Sequence, residues 1–257
     1  MFPISDDNPT LRTPLMTYLL LGVIAFVWIF LQKAGLDVTA MAASVCNLGM
    51  IPGELTGRAP LGFGVPITQH RDCLVDNDPI NIFTPITSMF LHGGWGHIIG
   101  NCLFFWVFGN HVEDSLGRFR FLIFYLLCGL VAAGAHIAID PTSPVPTVGA
   151  SGAISGILGA YLVLYPRVRV NLLVILIFII RIIPVPAWLV LVYWFGLQLL
   201  TGLPQLTSIR PDASGGVAVW AHIGGFVAGV VLIKLFENKD FTLKRTSWRH
   251  RLHPNHP

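Results

Sequence analysis

The sequence predicts an all-α polytopic membrane protein, a bundle of six transmembrane helices with a long first outer loop. Of its 257 residues, 54% are hydrophobic and only 11% are charged, whereas charged residues make up roughly 25% of a typical soluble domain. Apolar runs long enough to form membrane helices recur along the chain. Since each such helix uses about 20 residues, a chain of this length has room for one membrane domain.

The apolar runs divide the chain into a cytoplasmic tail (residues 1–14), a membrane domain (15–236) and a basic cytoplasmic tail (237–257). The six predicted spans are residues 15–31, 95–109, 121–139, 151–165, 187–200 and 217–236. The fourth span is short, because about 15 residues rise only roughly 22 Å, less than the ~30 Å hydrocarbon core. Its first residue is therefore expected to lie below the membrane surface.

Two stretches of the predicted membrane domain lie outside these spans. Residues 34–85 are rich in Gly and Pro, and connections this long usually carry function or structure of their own. Cys46 and Cys73 both lie in this loop and form either a disulfide or two free thiols. Residues 170–183 are apolar but carry Arg181, so we expect an interfacial or re-entrant piece, or an extension of the fifth helix.

The distribution of basic residues predicts the orientation. With six spans, twelve Lys and Arg residues fall on the side of the two termini and four on the other side. The positive-inside rule then places both termini in the cytoplasm and residue 151 near the outer face. Basic residues at helix ends and in the tail fit membrane topology, and no nucleic acid partner is expected.

Ser151 opens the fourth span within Gly149-Ala150-Ser151-Gly152, after a Pro-rich loop. In the first turn of a helix the backbone N–H groups have no intrahelical partner. Such donors can hold an oxyanion beside a nucleophilic hydroxyl. The structural alternative is a serine that bonds back to the carbonyl oxygen four residues earlier, as most serines in membrane helices do.

His222 lies near the start of the sixth span, with Gly225 and Gly229 on the same helix face. The fourth span presents small residues too, Gly152 among them, and small residues let two helix backbones approach closely. The pattern therefore predicts His222 against Ser151, where an imidazole can take the hydroxyl proton. A packing histidine bonded to a carbonyl oxygen is the alternative.

His97 and Asn101 are four residues apart and share a face of the second span. Both can donate hydrogen bonds to a developing oxyanion, or they can serve as interhelical bonds only. His92 lies nearer the loop and is expected to orient the backbone. A metal site built from His92, His97 and His222 is disfavoured, because no His-Glu-x-x-His motif or carboxylate accompanies them. No metal and no cofactor are expected.

Acidic residues are absent from every predicted span. A Ser-His-Asp triad therefore has no third member, and a two-aspartate membrane protease is excluded. The catalytic arrangement that remains is a Ser-His dyad.

Three motifs, in this order on six spans, resemble the rhomboid family of intramembrane serine proteases over about residues 82–236. They are His92-x4-His97-x3-Asn101, Gly149-Ala150-Ser151-Gly152 and Ala221-His222-x2-Gly225-x3-Gly229. The resemblance implies Ser151 as nucleophile and His222 as general base. It implies an oxyanion site made of His97, Asn101 and the backbone N–H of Ser151.

A fourth segment, Glu113-Asp114-x2-Gly117, resembles the family's turn after the second span and implies that Glu113 is a structural residue tying loops together. Two positions depart from the family pattern. Phe83-Thr84 stands where many members have Trp-Arg, and Ser155 stands where an aromatic residue often packs on the histidine ring. Another group must therefore orient His222.

The resemblance implies an intramembrane serine endopeptidase that cleaves transmembrane segments of single-pass membrane proteins within the lipid bilayer. It implies a multi-pass protein of a prokaryotic plasma (inner) membrane, with residues 201–216 and the fifth helix as the gate. The alternative is a non-catalytic rhomboid-like binder or chaperone of membrane helices. The presence of Ser151 and His222 favours the protease.

Overall fold

The computed structural model describes residues 2–68, 71–176, 179–207, 218–238 and 241, and the fold is mostly helical. Its α-helices are α1 (Leu15–Phe26), α2 (Val38–Leu48), α3 (Pro52–Thr56), α4 (Thr84–Thr87), α5 (Trp95–Leu116), α6 (Arg118–Ile139), α7 (Ser151–Leu164), α8 (Ala187–Thr207) and α9 (Val219–Phe236). Its strands are β1 (Phe2–Asp6), β2 (Gly64–Thr68), β3 (Arg71–Leu74), β4 (Arg169–Leu176) and β5 (Ile179–Pro186). α8 continues to Thr207, so a loop that begins at residue 201 is wrong. The rest of the predicted cap, residues 208–216, and most of the basic tail lie outside the described residues.

Three helices in the described ranges are long and apolar enough to cross a membrane. They are Arg118–Ile139, Ala187–Pro204 and Val219–Phe236, and shorter apolar helices occupy Leu15–Leu31, Val38–Leu48 and Ser151–Leu164. In the first of the shorter helices, α1 continues as a π-helical segment, Val27–Leu31. The total of six membrane spans therefore remains a prediction.

Residues 169–176 and 179–186 form the two strands of a β-hairpin, so one alternative for residues 170–183, an extension of the fifth helix, is wrong. β4 and β5 pair antiparallel along their whole length, and α8 begins only after Pro186. The physical reason is composition, because β-branched Val and Ile favour strands and prolines interrupt a helix. β1 adds a third strand by pairing with β4. A purely all-α class is therefore too narrow.

The connection between α1 and α5 is folded and rests on the turn that leads into α7. A disulfide joins Cys46 of α2 to Cys73 of β3, with their Cα atoms 5.1 Å apart. This confirms the paired alternative. Met50 and Thr147 exchange two backbone hydrogen bonds of 2.9 and 2.8 Å. Thr147, four residues before Ser151, is thus held by the connection between α1 and α5.

At the opposite end of the bundle, Glu113 of α5 caps the first turn of α1. Its carboxylate accepts hydrogen bonds from the backbone N–H of Met16 at 3.0 Å and of Thr17 at 2.8 Å. The hydroxyl of Thr17 donates a third bond at 2.8 Å. A carboxylate at a helix N-terminus satisfies free N–H donors and interacts favourably with the helix dipole. Glu113 therefore fixes α1 against α5.

The short strand β1 is anchored by a buried carboxylate. Asp6 lies 2.8 Å from the Nε2 atom of His111, with both side chains 3% exposed, and it accepts a hydrogen bond from the hydroxyl of Tyr161. These two contacts of Asp6 join β1 to α5 and to α7. A charge this buried is held in place because its partners satisfy it.

We predict that the thiols of Cys46 and Cys73 become reactive only after reduction. The experiment uses a Cys102→Ala, Cys128→Ala background and a membrane-impermeant maleimide added to intact cells. Before mild reduction the protein should carry no maleimide label, and after it two labels. The reason is that a disulfide at the predicted outer face is in an oxidising compartment. Cys73→Ser should lower the free energy of unfolding by about 2–4 kcal/mol. Labelling of the unreduced protein would contradict the pairing.

Candidate active site

The turn before α7 can be made only by glycine. Gly149 has a φ of +129°, which L side chains rarely adopt, and its N–H donates to the carbonyl oxygen of Ser88 at 2.8 Å. A Cβ atom at this residue would lie 2.7 Å from Nε2 of His97 and 3.5 Å from Oγ of Ser151. His97 and Ser151 therefore flank the same backbone turn.

Helices α7 and α9 pack closely against each other because glycines of both helices lie at their contact. A Cβ atom at Gly225 would collide with the carbonyl oxygen of Gly152, and one at Gly229 with that of Gly156. Because both contacts advance four residues together, the two helices run parallel with their N-terminal ends side by side.

This parallel packing determines the layer in which the two predicted catalytic residues lie. Ser151 comes immediately before Gly152, and His222 lies one turn before Gly225. The two residues are therefore in the same layer at the start of α7 and α9, and His222 is only 8% exposed. Within the described residues no hydrogen bond joins the Ser151 hydroxyl to the His222 ring. Such bonds often tighten only when substrate binds.

The N-terminus of α7 has free donors beside the Ser151 hydroxyl. Ala150 is the N-cap and supplies no side-chain cap, and the first backbone bond of the helix runs from Ile154 to Ala150 at 3.0 Å. The N–H groups of the first turn therefore point outward from the helix start. The neighbouring hydroxyl of Ser155 donates to the carbonyl oxygen of Ser151 at 2.6 Å.

Two side chains of α5 provide further donors. The N–H of Gly93 donates to Nδ1 of His97 at 3.3 Å. In a neutral imidazole this leaves the proton on Nε2, the atom that faces the Gly149 turn. Asn101 is 8% exposed, and its Nδ2 atom has no hydrogen-bond partner among the described residues. A buried donor without a partner is costly, so this amide is ready for an acceptor that arrives with a ligand.

His92 is held through its backbone by a residue that the sequence analysis did not single out. The side chain of Gln32 donates to the carbonyl oxygen of His92 at 2.8 Å and accepts from its N–H at 2.8 Å. The ring of His92 lies edge-on to that of His97, with centroids 5.1 Å apart. A polar residue directly after the first apolar run was the signal that could have identified Gln32.

The ring of His222 is contacted by two residues of α8 that were also missed. Gln198 lies 2.9 Å from Nδ1 through its Oε1 atom, and the Trp194 ring lies 5.8 Å from the imidazole, centroid to centroid, with a 37° tilt. These contacts reach the ring from α8, whereas the hydroxyl of Ser155 is bonded to the carbonyl oxygen of Ser151. The spacing of four residues between Trp194 and Gln198 at one face of the fifth span was the available signal.

The rhomboid domain profile matches residues 80–238, which is more than half of the chain. The chain belongs to the rhomboid family. This confirms the resemblance that the three motifs indicated. The family and the apolar helices together indicate an integral membrane protein, and the rhomboid proteases of this family are serine peptidases.

Curated relatives named as rhomboid proteases or rhomboid-like proteins match parts of the chain. Rhomboid protease GluP of Bacillus subtilis is 43% identical over 77 residues, which are 30% of this chain and 15% of that protein. Rhomboid protease AarA of Providencia stuartii is 30% identical over 158 residues, 56% of this chain and 52% of that protein. RHOMBOID-like protein 12, mitochondrial, of Arabidopsis thaliana is 28% identical over 167 residues, 58% of this chain and 45% of that protein. The chain thus spans less than two thirds of the length of these rhomboid relatives.

We predict that Gly229→Ala separates α7 from α9 in this rhomboid. The added methyl group overlaps the carbonyl oxygen of Gly156, and overpacking a tight contact costs about 1–3 kcal/mol. The matched control is Gly196→Ala in α8, where a Cβ atom meets nothing within 4 Å. Thermal unfolding in detergent should show a lower Tm for Gly229→Ala only. Equal Tm values for the two variants would show that the helix contact is not tight.

Proposed function

We propose that this rhomboid is an intramembrane serine endopeptidase that uses Ser151 as nucleophile and His222 as general base. The observation that carries the proposal is the glycine contact between α7 and α9, which puts these two residues in one layer. Nε2 of His97 and Oγ of Ser151 both lie near the Gly149 turn, and Asn101 comes one turn after His97 on α5. This combination is what an acyl transfer site requires.

In the proposed reaction, Oγ of Ser151 attacks the carbonyl carbon of a peptide bond while Nε2 of His222 takes the hydroxyl proton. The oxyanion that forms accepts hydrogen bonds from Nε2–H of His97, from Nδ2–H of Asn101 and from the backbone N–H of Ser151. The C–N bond then breaks as His222 returns the proton to the leaving amine. A water molecule, deprotonated by the same imidazole, hydrolyses the acyl-enzyme.

The proposed substrates are single-pass membrane proteins, cut where a transmembrane segment is weakly helical and can extend into the site. Water reaches the site from the outer side, and α8 with residues 201–216 forms the gate. Both termini are then cytoplasmic, and the protein belongs to a prokaryotic plasma membrane. The disulfide at the Ser151 end of the bundle supports this orientation, since disulfides persist in oxidising compartments.

We predict that Ser151→Ala abolishes both cleavage of a model membrane substrate and labelling by a fluorophosphonate probe, because the acyl-enzyme and the probe adduct both form on the Ser151 hydroxyl in the proposed reaction. Ser155→Ala is the matched control, since its hydroxyl already donates to a backbone carbonyl oxygen, and this variant should still be labelled. Equal Tm values would show that Ser151→Ala is folded. A wild-type protein that binds membrane helices without labelling or cleavage would instead support the non-catalytic binder.

We predict that Asn101→Ala slows turnover by roughly 10²- to 10³-fold, the usual cost of removing one oxyanion donor. The loss should appear in kcat rather than KM, because the donor acts on charge that develops only in the transition state. Asn110→Ala, at the far end of α5, is the control and should keep the wild-type rate. A near-wild-type kcat for Asn101→Ala would remove the amide from the oxyanion site.

A further inference from the structure

His222 has two ring nitrogens, and only one of them has a partner in the described part of the chain. Nδ1 lies 2.9 Å from Oε1 of Gln198, whereas Nε2 makes no hydrogen bond there. An amide oxygen only accepts, so in this contact Nδ1 carries the proton and Nε2 carries the lone pair. A neutral histidine without such a partner favours the opposite tautomer, with the proton on Nε2. Gln198 thus holds the ring in the form that a base needs.

The contact between Gln198 and His222 suits a buried site because the glutamine amide carries no charge. His222 is 8% exposed at the start of an apolar helix, and an unpaired carboxylate in such a place would be strongly destabilising. In serine hydrolases with a triad, a buried Asp holds the imidazole in the correct tautomer and orientation. A glutamine amide can fix the same tautomer without burying a charge.

A second contact from α8 restrains the plane of the ring. Trp194 lies one turn before Gln198 and packs on the imidazole with centroids 5.8 Å apart. The start of α8 is held in the core through Ala187 and Leu191, both 0% exposed. The N-terminal part of the helix that carries Gln198 is therefore fixed by its packing in the core.

We propose that Gln198 is the positioning residue for His222, accepting its Nδ1 proton so that Nε2 faces Ser151 as the base. This inference rests on the proposed protease function for its kinetic consequence. The tautomer of the ring can be measured whether or not the protein is active.

The first experiment reads the tautomer directly. Protein with ¹⁵N-labelled histidine is purified in nanodiscs, and the His222 nitrogens, assigned with His222→Gln, are observed by NMR at a pH where the ring is neutral. The wild type should show a protonated Nδ1 and an unprotonated Nε2. Gln198→Met, which keeps the length of the side chain but has no acceptor oxygen, should move the proton to Nε2. An unchanged tautomer in Gln198→Met would overturn the proposal.

The second experiment measures turnover of a model membrane substrate and the rate of fluorophosphonate labelling. Gln198→Met should lower both kcat and the labelling rate by about 10- to 100-fold, the range seen when a group that orients a metal-bound histidine is lost, with KM unchanged. Ser44→Ala, which removes a hydroxyl that donates to a backbone carbonyl oxygen within α2, is the control and should match the wild type.

The outcomes separate the two proposals. Wild-type protein that neither reacts with the probe nor cleaves substrate would refute the protease function, while the NMR result would still decide the role of Gln198. An active wild type with a Gln198→Met variant of equal kcat, or one altered only in KM, would refute the positioning role and leave the protease function standing.

Discussion

The close contact between α7 and α9 is the constraint on which the rest of the site depends. A membrane gives little hydrophobic drive for helices to associate, so close packing of small residues has to supply it. Here the carbonyl oxygens of Gly152 and Gly156 occupy the space that side chains would need at Gly225 and Gly229. The same contact sets the depth of Ser151 and His222, which means that stability and the geometry of the site are fixed by one surface.

The donors around Ser151 are held by elements outside this helix pair. The turn at Gly149 is tied to Ser88, and the strand-like bridge from Met50 to Thr147 supports the loop before it. On α5, the backbone bond from Gly93 fixes the ring of His97. Because the donors belong to different segments, an acceptor entering among them would meet dipoles that are already oriented, which is the main source of electrostatic catalysis in enzymes.

Much of this arrangement could be predicted from the sequence because its determinants are local. Glycines at intervals of four, histidines beside them and a serine at a helix start have direct consequences for helix faces. Gln32 and Gln198 were missed because a glutamine in an apolar segment shows its role only when its partner, distant in the sequence, is known. The hairpin at residues 169–186 was missed because a short apolar run has no period that separates strand from helix, and its partner β1 lies more than 160 residues away.

The position of β1 has a consequence for the order of assembly. Phe2 pairs with Leu173, and Asp6 is bonded to Tyr161. A ribosome that adds about 5–20 residues/s reaches those partners on the order of 10–30 s after making residues 2–6. By then the chain up to α7 has been synthesised, so β1 can complete the three-stranded sheet only at a late stage of synthesis. In this protein, a strand that is made well before its partners is among the last elements to be paired.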